Sequence, residues 1–137
     1  MNKNILRSIK KILLIPFYIS NWWSFYLHYL GLFSQGSKIY KLRNGIVLNT
    51  TAQKVDSVII NEIWGNNEYT PRNFGIREND IVVDIGAHKG YFSIFASLAA
   101  KNGKVYAFEP MEDNYNILKK NIKVNKCINV IPFQLGI

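Results

Sequence analysis

The sequence predicts an α/β fold in which a Rossmann-like parallel sheet follows an N-terminal helical segment and a β-hairpin. Two apolar runs of strand length, at 81–83 and 105–108, are separated by a glycine turn and a helix. Each run also ends in an acid, Asp84 after the first and Glu109 after the second. Strand, turn, helix and strand make a βαβ unit, whose ligands bind beyond the carboxyl ends of the strands.

Residues 1–36 form a basic and then aromatic N-terminal segment, which we expect to be helical. Between residues 12 and 33 there is no Asp, Glu, Lys or Arg, and an uncharged run of this length can cross a bilayer. Pro16 and Gly31 interrupt it, and its many aromatic side chains suit a membrane interface better than a hydrocarbon interior. We expect helices that dock on their own domain; an interfacial helix, a membrane span and a signal peptide are the alternatives.

A hairpin is expected next, over residues 38–49. Apolar stretches flank the dipeptide Asn44-Gly45, which tolerates the positive φ angles of a two-residue type I′ turn. Beyond the hairpin, apolar residues at helical intervals predict a helix over 55–64, and a polar stretch predicts a loop over 65–80.

The first strand of the parallel sheet reads as a continuous apolar run, which is typical of a strand buried on both faces. Gly86 and Gly90 bracket the turn behind it, where the lack of a side chain would let main-chain N–H groups approach a ligand. A helix over 91–100 follows, with small residues such as Ser93 expected against the sheet, and a second strand covers 105–108.

The C-terminal stretch predicts a second helix and a third strand. The helix carries an apolar stripe formed by Met111, Tyr115, Leu118 and Ile122. The strand covers 129–135 although Pro132 lies inside it. In a doubly wound sheet a fourth strand pairs with the first on its other side. Because no such strand follows, we expect a truncated domain, residues 37–137, whose first strand is an exposed apolar edge.

The acids at the two strand ends indicate the type of ligand. A dinucleotide fingerprint has the pattern GxGxxG around a pyrophosphate, but His88 stands where its middle glycine would be, and Asp84 would repel phosphate. S-adenosylmethionine carries no phosphate, and Asp84 would attract its sulfonium and ammonium groups. Glu109 lies about 20 residues past the second glycine, where an acid accepts hydrogen bonds from ribose hydroxyls.

Two motifs resemble a known family. Residues 83–91, Val-Asp-Ile-Gly-Ala-His-Lys-Gly-Tyr, and residues 107–110, Ala-Phe-Glu-Pro, are similar to the cofactor-binding motifs of the FkbM-type methyltransferases. The resemblance covers residues 39–137 and implies a class I methyltransferase that acts mostly on hydroxyls. The chain departs from the family at His88, where asparagine is more usual.

The resemblance implies which residues contact S-adenosylmethionine. They are the two acids, the turn between them and an upstream tyrosine: Asp84, Gly86, Ala87, His88, Gly90, Glu109 and Tyr69. The implied reaction is direct displacement of the methyl group from sulfur by a substrate oxygen, which needs alignment and a base. The base is not assigned, because its candidates would follow the fourth strand.

Composition narrows the partners. The chain of 137 residues is 48% apolar, which predicts a folded domain. Its net charge is +8, but the cations are spread out, four in the first 11 residues and four over 119–126, and no arginine-rich cluster is interleaved with aromatic residues. We therefore expect no nucleic acid. Charge does not identify the acceptor, and sugar, lipid-linked glycan, peptide and small metabolite stay open; a small-molecule or glycan acceptor is the expectation. Cys127 is the lone cysteine and the two histidines are far apart, so neither a disulfide nor a metal site is expected.

Functions of three classes are compared. The favoured one is an S-adenosylmethionine-dependent methyltransferase, present as its cofactor-binding half. The alternatives are a membrane-associated interaction module, with peripheral contact through residues 1–33, and a nicotinamide-binding oxidoreductase fragment. We expect a cytoplasmic location, with membrane association as the alternative.

Overall fold

The computed structural model describes four stretches of the chain: 12–32, 36–51, 53–65 and 75–136. The chain divides into two compact units, residues 1–68 and residues 69–137, which we call the first and the second unit. The hairpin lies in the first unit, whereas the predicted domain boundary after residue 36 groups it with the parallel sheet. The predicted domains, 1–36 and 37–137, stay a prediction, because compactness within one chain does not define the extent of a domain family.

In the first unit, short helices flank a two-stranded antiparallel hairpin. The elements are α1 (Ile15–Tyr18), α2 (Trp22–Tyr29), β1 (Lys38–Lys41), β2 (Val47–Thr50) and α3 (Lys54–Ile60), which a π-helical turn continues over Asn61–Gly65. Pro16 occupies the first turn of α1, where its missing N–H costs no hydrogen bond. Among the described residues, no helix combines the length and the apolar character needed to cross a membrane.

An aromatic cluster packs α2 on the hairpin. Phe25 and Tyr40 are fully buried and meet edge to face, with ring centroids 4.8 Å apart. The hydroxyl of Tyr40 forms a hydrogen bond with the buried ring of His28. The N–H of Ser20 donates to the carbonyl of Lys41 over 2.7 Å. Ring packing and hydrogen bonds together therefore hold residues 15–29 against the hairpin.

The predicted hairpin is confirmed, but its turn differs from the predicted type I′ turn. The N–H of Leu42 donates to the carbonyl of Ile46 over 2.8 Å, so the loop has three residues. The N–H of Gly45 donates to the carbonyl of Leu42 over 3.1 Å, and Gly45 has a φ of +91°. This is a type I turn followed by a left-handed glycine. The type I′ prediction is wrong because Asn44 does not adopt a positive φ.

The second unit confirms the predicted α/β fold. Its elements are β3 (Ile81–Ile85), α4 (Tyr91–Ala99), β4 (Lys104–Phe108), α5 (Glu112–Val124) and β5 (Val130–Phe133), and its sheet is parallel with the order β3-β4-β5. Pro132 lies opposite Ala107 in β5. In the described part of the sheet β5 pairs on one side, which suits a residue without an N–H to donate.

The two helices of the second unit cover one face of the sheet. Both crossovers run in the same direction across the sheet, and right-handed crossovers then place both helices on one side. Ile94 of α4 and Leu118 of α5 are fully buried there. On the other face, alternate residues of β3 are exposed: Ile81 at 70%, Val83 at 55% and Ile85 at 64%. The prediction that this strand is buried on both faces is wrong, because its helices lie on one side only.

Candidate functional site

The carboxyl ends of β3 and β4 bring the two predicted acids to one edge of the sheet. The parallel register pairs Ile85 with Phe108. Asp84 is one residue before the end of β3, and Glu109 follows β4 directly. A sheet edge of this kind, beyond the carboxyl ends of the strands, is where open α/β folds bind ligands.

Glu109 is held by the main chain on both sides of its carboxylate. Its side chain is buried, with 4% of the residue exposed. One oxygen accepts a hydrogen bond from the N–H of His88 over 2.8 Å, and the other accepts from the N–H of Met111 over 2.9 Å. The carboxylate therefore ties the turn after β3 to the start of α5. Each carboxylate oxygen has a second lone pair, so both can accept a further bond from a ligand.

Asp84 has a raised pKa. Burial is the largest cause and the charge on Glu109 adds to it, while a hydrogen bond from Ser93 acts in the opposite direction. That bond runs from the Ser93 hydroxyl to one carboxylate oxygen over 2.5 Å. Because the charge on Glu109 disfavours the ionised form of Asp84, a bound cation would stabilise that ionised form. The electrostatics of this edge thus favour a positively charged ligand.

The two glycines of the turn have different roles. A Cβ built on Gly86 meets nothing within 4 Å, whereas one built on Gly90 lies 2.3 Å from Cδ1 of Leu118. Gly90 therefore allows α5 to pack on the turn. The N–H of Gly86 donates to the carbonyl of Phe108 over 2.9 Å, and that of Gly90 donates to the carbonyl of Ala87 over 2.8 Å. The N–H groups of the two glycines are thus already bonded within the chain, and the approach of main-chain N–H groups of this turn to a ligand stays a prediction.

Ala87 and His88 complete the turn between the two glycines. Ala87 is buried, and its N–H donates to the carbonyl of Phe108 over 2.9 Å. His88 has a φ of +53°, which is uncommon for a residue other than glycine. Its ring lies edge to face with Tyr91, with centroids 6.3 Å apart. The hydrogen bond from its N–H to Glu109 stabilises this left-handed conformation.

Two polar residues support the site without having been predicted to do so. Ser93 is predicted only as a small residue against the sheet, yet it is the hydrogen-bond partner of Asp84. Asn121 is fully buried, and its amide donates to the carbonyl of Lys89 over 2.8 Å. Its position three residues after Leu118, on the buried face of α5, is the signal in the sequence that could have identified it.

A small cavity of about 150 Å³ opens at the same strand ends. It is lined by Ile85, Gly86, Phe108, Pro110, Leu135 and Gly136. This lining carries no charged side chain, so it suits a flat, uncharged group. Whole ligand pockets usually measure about 300–1,000 Å³, and this cavity therefore fits one part of a larger ligand.

The structure places most of the predicted site residues around one edge. The residues brought together are Asp84, Gly86, Ala87, His88, Gly90 and Glu109. Tyr69 lies outside the described residues. Contact of any of these residues with a cofactor stays a prediction at this point.

The chain is similar to known transferases. Residues 65–136 match the TRM5/TYW2 methyltransferase domain family. The tRNA(Phe) (4-demethylwyosine(37)-C(7)) aminocarboxypropyltransferase of Methanocaldococcus jannaschii is 42% identical over 80 residues, which are 58% of this chain and 32% of the relative. The methyltransferase sdnD of Sordaria araneosa is 31% identical over 80 residues, 58% of this chain and 30% of the relative. The chain thus spans about a third of the length of these relatives.

Two solved structures have the same fold. M. jannaschii TYW2 in complex with AdoMet, which is S-adenosylmethionine, has a TM-score of 0.55 and 35% identity, covering 74% of this chain and 44% of that one. Methanocaldococcus jannaschii Trm5 in complex with adenosine has a TM-score of 0.51 and 30% identity, covering 74% and 30%. The predictions of a class I methyltransferase fold and of S-adenosylmethionine as the cofactor of such a domain are confirmed.

The comparisons contradict the predicted partners. The substrate named for the Methanocaldococcus jannaschii relative is a tRNA, and the matching structures are the TYW2 and Trm5 proteins of that organism. The expectation of a small-molecule or glycan acceptor and of no nucleic acid is therefore wrong. It relied on the spread of the cations along the sequence, which says little about where they lie on a folded surface.

The comparisons also identify a different family from the one that the two motifs resemble. The predicted methyltransferase class is correct, but the family matched is not the FkbM-type one that the two motifs resemble. Two short motifs of an acid and a glycine turn, and of a second acid at the next strand end, therefore identify the class better than the family. Matched over residues 65–136, more than half of its length, the chain belongs to the TRM5/TYW2 methyltransferase domain family.

Proposed function

We propose that this chain is the donor-binding part of an S-adenosylmethionine-dependent transferase that modifies a nucleoside of tRNA. The observation that carries the proposal is the pair of carboxylates, Asp84 and Glu109, at one edge of the sheet. The tRNA acceptor rests on what the relatives are named to act on. Since the chain spans about a third of the length of those relatives, their activity and substrate are proposals for this chain.

Glu109 is the residue proposed to bind the ribose of the donor. Its two oxygens each accept one main-chain hydrogen bond, which leaves one lone pair on each for the two ribose hydroxyls. Because the main chain already fixes the carboxylate, little side-chain entropy would be lost on binding. The nearby cavity beside Phe108 and Pro110 would take the adenine ring.

Asp84 is proposed to attract the cationic methionine end of the donor. Its pKa is raised by burial and by Glu109, and a neighbouring cation would favour the ionised carboxylate. Gly86, Ala87 and His88 lie between the two acids and would line the middle of the ligand. We keep Tyr69 as a further residue at the methionine end.

The transferred group is either of two that the donor carries on its sulfonium sulfur. The family is named for methyl transfer and the archaeal relative for aminocarboxypropyl transfer. In both, a nucleophile forms a bond to carbon while the carbon–sulfur bond breaks, and the nucleophile's proton passes to a base. The acceptor atom is a ring carbon or, as the motif resemblance implied, a hydroxyl oxygen. Mass spectrometry of the modified nucleoside separates these outcomes.

Calorimetric titration of the full chain with S-adenosylhomocysteine tests the donor site. We expect binding to the wild-type chain and none to Glu109→Ala, because this change removes the acceptor for both ribose hydroxyls. Glu112→Ala is the matched control, since it removes an exposed acid three residues downstream and should leave affinity unchanged. Thermal unfolding of each variant shows whether the fold survives. Equal affinity of a folded Glu109→Ala variant would contradict the proposal, as would a wild-type chain that does not bind.

A further inference from the structure

The first unit contains a pocket of its own, with a volume of about 390 Å³. This volume lies within the range of small-ligand pockets, about 300–1,000 Å³. The pocket is lined by Phe17, Tyr18, Leu42, Arg43, Asn44 and Trp64. The family match begins at residue 65, so the pocket belongs to a part of the chain that the family does not describe.

Aromatic rings make up half of the lining. Phe17 is 76% exposed and presents its ring to solvent at the pocket. Tyr18 is held in place, because its hydroxyl forms a hydrogen bond with Asn61. Its phenol is uncharged at neutral pH, as is usual for tyrosine. Exposed and anchored rings of this kind are the surfaces on which unpaired nucleic-acid bases stack.

The polar side of the pocket is formed by the hairpin turn. The Nε of Arg43 donates to the carbonyl of Pro16 over 2.8 Å, and its main-chain N–H donates to the carbonyl of Tyr18 over 2.9 Å. These bonds fix the direction of the guanidinium. In the stretches that the structure describes, no carboxylate pairs with Arg43, and no acid lines the pocket. Asn44 adds an exposed amide beside it.

We propose that this pocket binds an unpaired nucleotide of an RNA strand. The base stacks on Phe17 and the phosphate faces Arg43. The amide oxygen of Asn44 accepts from the N–H of Ile46 over 3.3 Å, so its NH₂ group is the part that would donate to the edge of the base. The guanidinium of Arg43, with no acid among the described lining residues, favours an anionic ligand, and the rings favour a planar one. RNA as the partner rests on the proposed function, whereas the pocket itself is independent of the donor site.

Binding of a fluorescein-labelled single-stranded oligouridylate to the full chain, followed by fluorescence anisotropy, tests this proposal. We expect Phe17→Ala to weaken binding by about fivefold or more, the low end of what loss of a stacking side chain costs. Arg43→Ala should also weaken binding, because it removes the cation that faces the phosphate. Lys41→Ala is the matched control. It removes an exposed cation from the same hairpin, outside the pocket lining, and should weaken binding clearly less.

Three results would overturn the proposal: no binding by the wild-type chain, unchanged binding by both pocket variants, or equal loss in Lys41→Ala and Arg43→Ala. An equal loss of affinity in these two variants would mean that the RNA is attracted to the cations of the hairpin in general and not to the pocket. Unlabelled duplex RNA should compete poorly, because its bases are already stacked. Titration of the same variants with S-adenosylhomocysteine separates the two proposals: failure of donor binding with intact pocket effects would contradict only the proposed function.

Discussion

The two candidate sites of this chain carry opposite charge. In the second unit, Asp84 and Glu109 meet at the end of a parallel sheet and repel each other. In the first unit, Arg43 faces a pocket whose lining, over the part of the chain that the structure describes, holds aromatic rings and no acid. The difference indicates the ligand of each site, because a charged site attracts ligands of the opposite charge. A cationic sulfonium donor suits the acidic site of the second unit, and an anionic RNA strand suits the pocket of the first unit.

The contrast also extends to how the polar groups are held. Main-chain N–H groups donate to both oxygens of Glu109, whereas the main-chain carbonyl of Pro16 accepts from the guanidinium Nε of Arg43. In each case the backbone fixes a charged side chain before any ligand arrives. Such preorganisation lowers the entropy lost on binding.

The largest effect that separates the two sites is expected from Asp84→Asn. Hydrogen bonds to charged groups contribute about 1.5–3 kcal/mol, so affinity for S-adenosylmethionine should fall by about tenfold or more. Binding of single-stranded RNA should not change. Calorimetry and anisotropy on the same preparation measure both. Asp113→Asn, which neutralises an exposed acid in α5, should change neither, and a parallel loss at both sites in Asp84→Asn would break the contrast.

An effect of intermediate size on the two affinities is expected when the salt concentration is raised. Counterion release makes the affinity for a single strand fall with a slope of about 0.7 per phosphate neutralised. RNA binding should therefore weaken several-fold between about 50 mM and about 200 mM salt, and Arg43→Ala should reduce the slope. Binding of S-adenosylhomocysteine should change far less, since buried charges are screened weakly. Equal salt dependence at the two sites would contradict their different chemistry.

The smallest effect is expected from Ser93→Ala. The hydrogen bond from Ser93 lowers a pKa that burial and Glu109 raise, so its removal should raise the pKa of Asp84 further. The cationic donor binds the ionised carboxylate. The affinity for the donor is therefore highest above the pKa of Asp84 and is lost as the pH falls through that pKa. Calorimetry over a pH series should show the loss beginning at a higher pH in Ser93→Ala than in the wild type.

Ser97→Ala provides the control for that shift. Ser97 lies one turn along α4 and hydrogen-bonds Asn129 instead of Asp84. Its removal should leave the pH profile of donor binding in place. A profile that is the same in Ser93→Ala and the wild type would show that Asp84 does not titrate with donor binding.

Periodicity and motif spacing predict the sheet, its helices and the two acids, because these follow from patterns local in the sequence. The burial or exposure of each face of β3 could not be predicted in the same way. An apolar run shows that a strand belongs in a sheet, but not which of its faces the helices cover. Ile81 and Ile85 are exposed because the two helices of the second unit cover the opposite face of the sheet.

The details of the site depend on residues far apart in the chain. The spacing of Gly86 and Gly90 predicts a turn, but the contact of Gly90 with Leu118 depends on how α5 packs. Likewise, the type I′ prediction at Asn44 needed a φ angle that the dipeptide permits without requiring. Net charge and the spacing of the cations did not predict the partners, because the position of a cation along the chain does not show where it lies on the folded surface; Arg43 and Phe17, for example, line one pocket although they are far apart in the sequence.

A crystal structure of the full chain with S-adenosylhomocysteine tests the central claim most directly. We predict that the two ribose hydroxyls lie within hydrogen-bond distance of the Glu109 carboxylate, with its bonds from His88 and Met111 retained. The amino group of the ligand should lie on the Asp84 side of the turn. A ligand bound elsewhere, or a ribose that does not contact Glu109, would contradict the account.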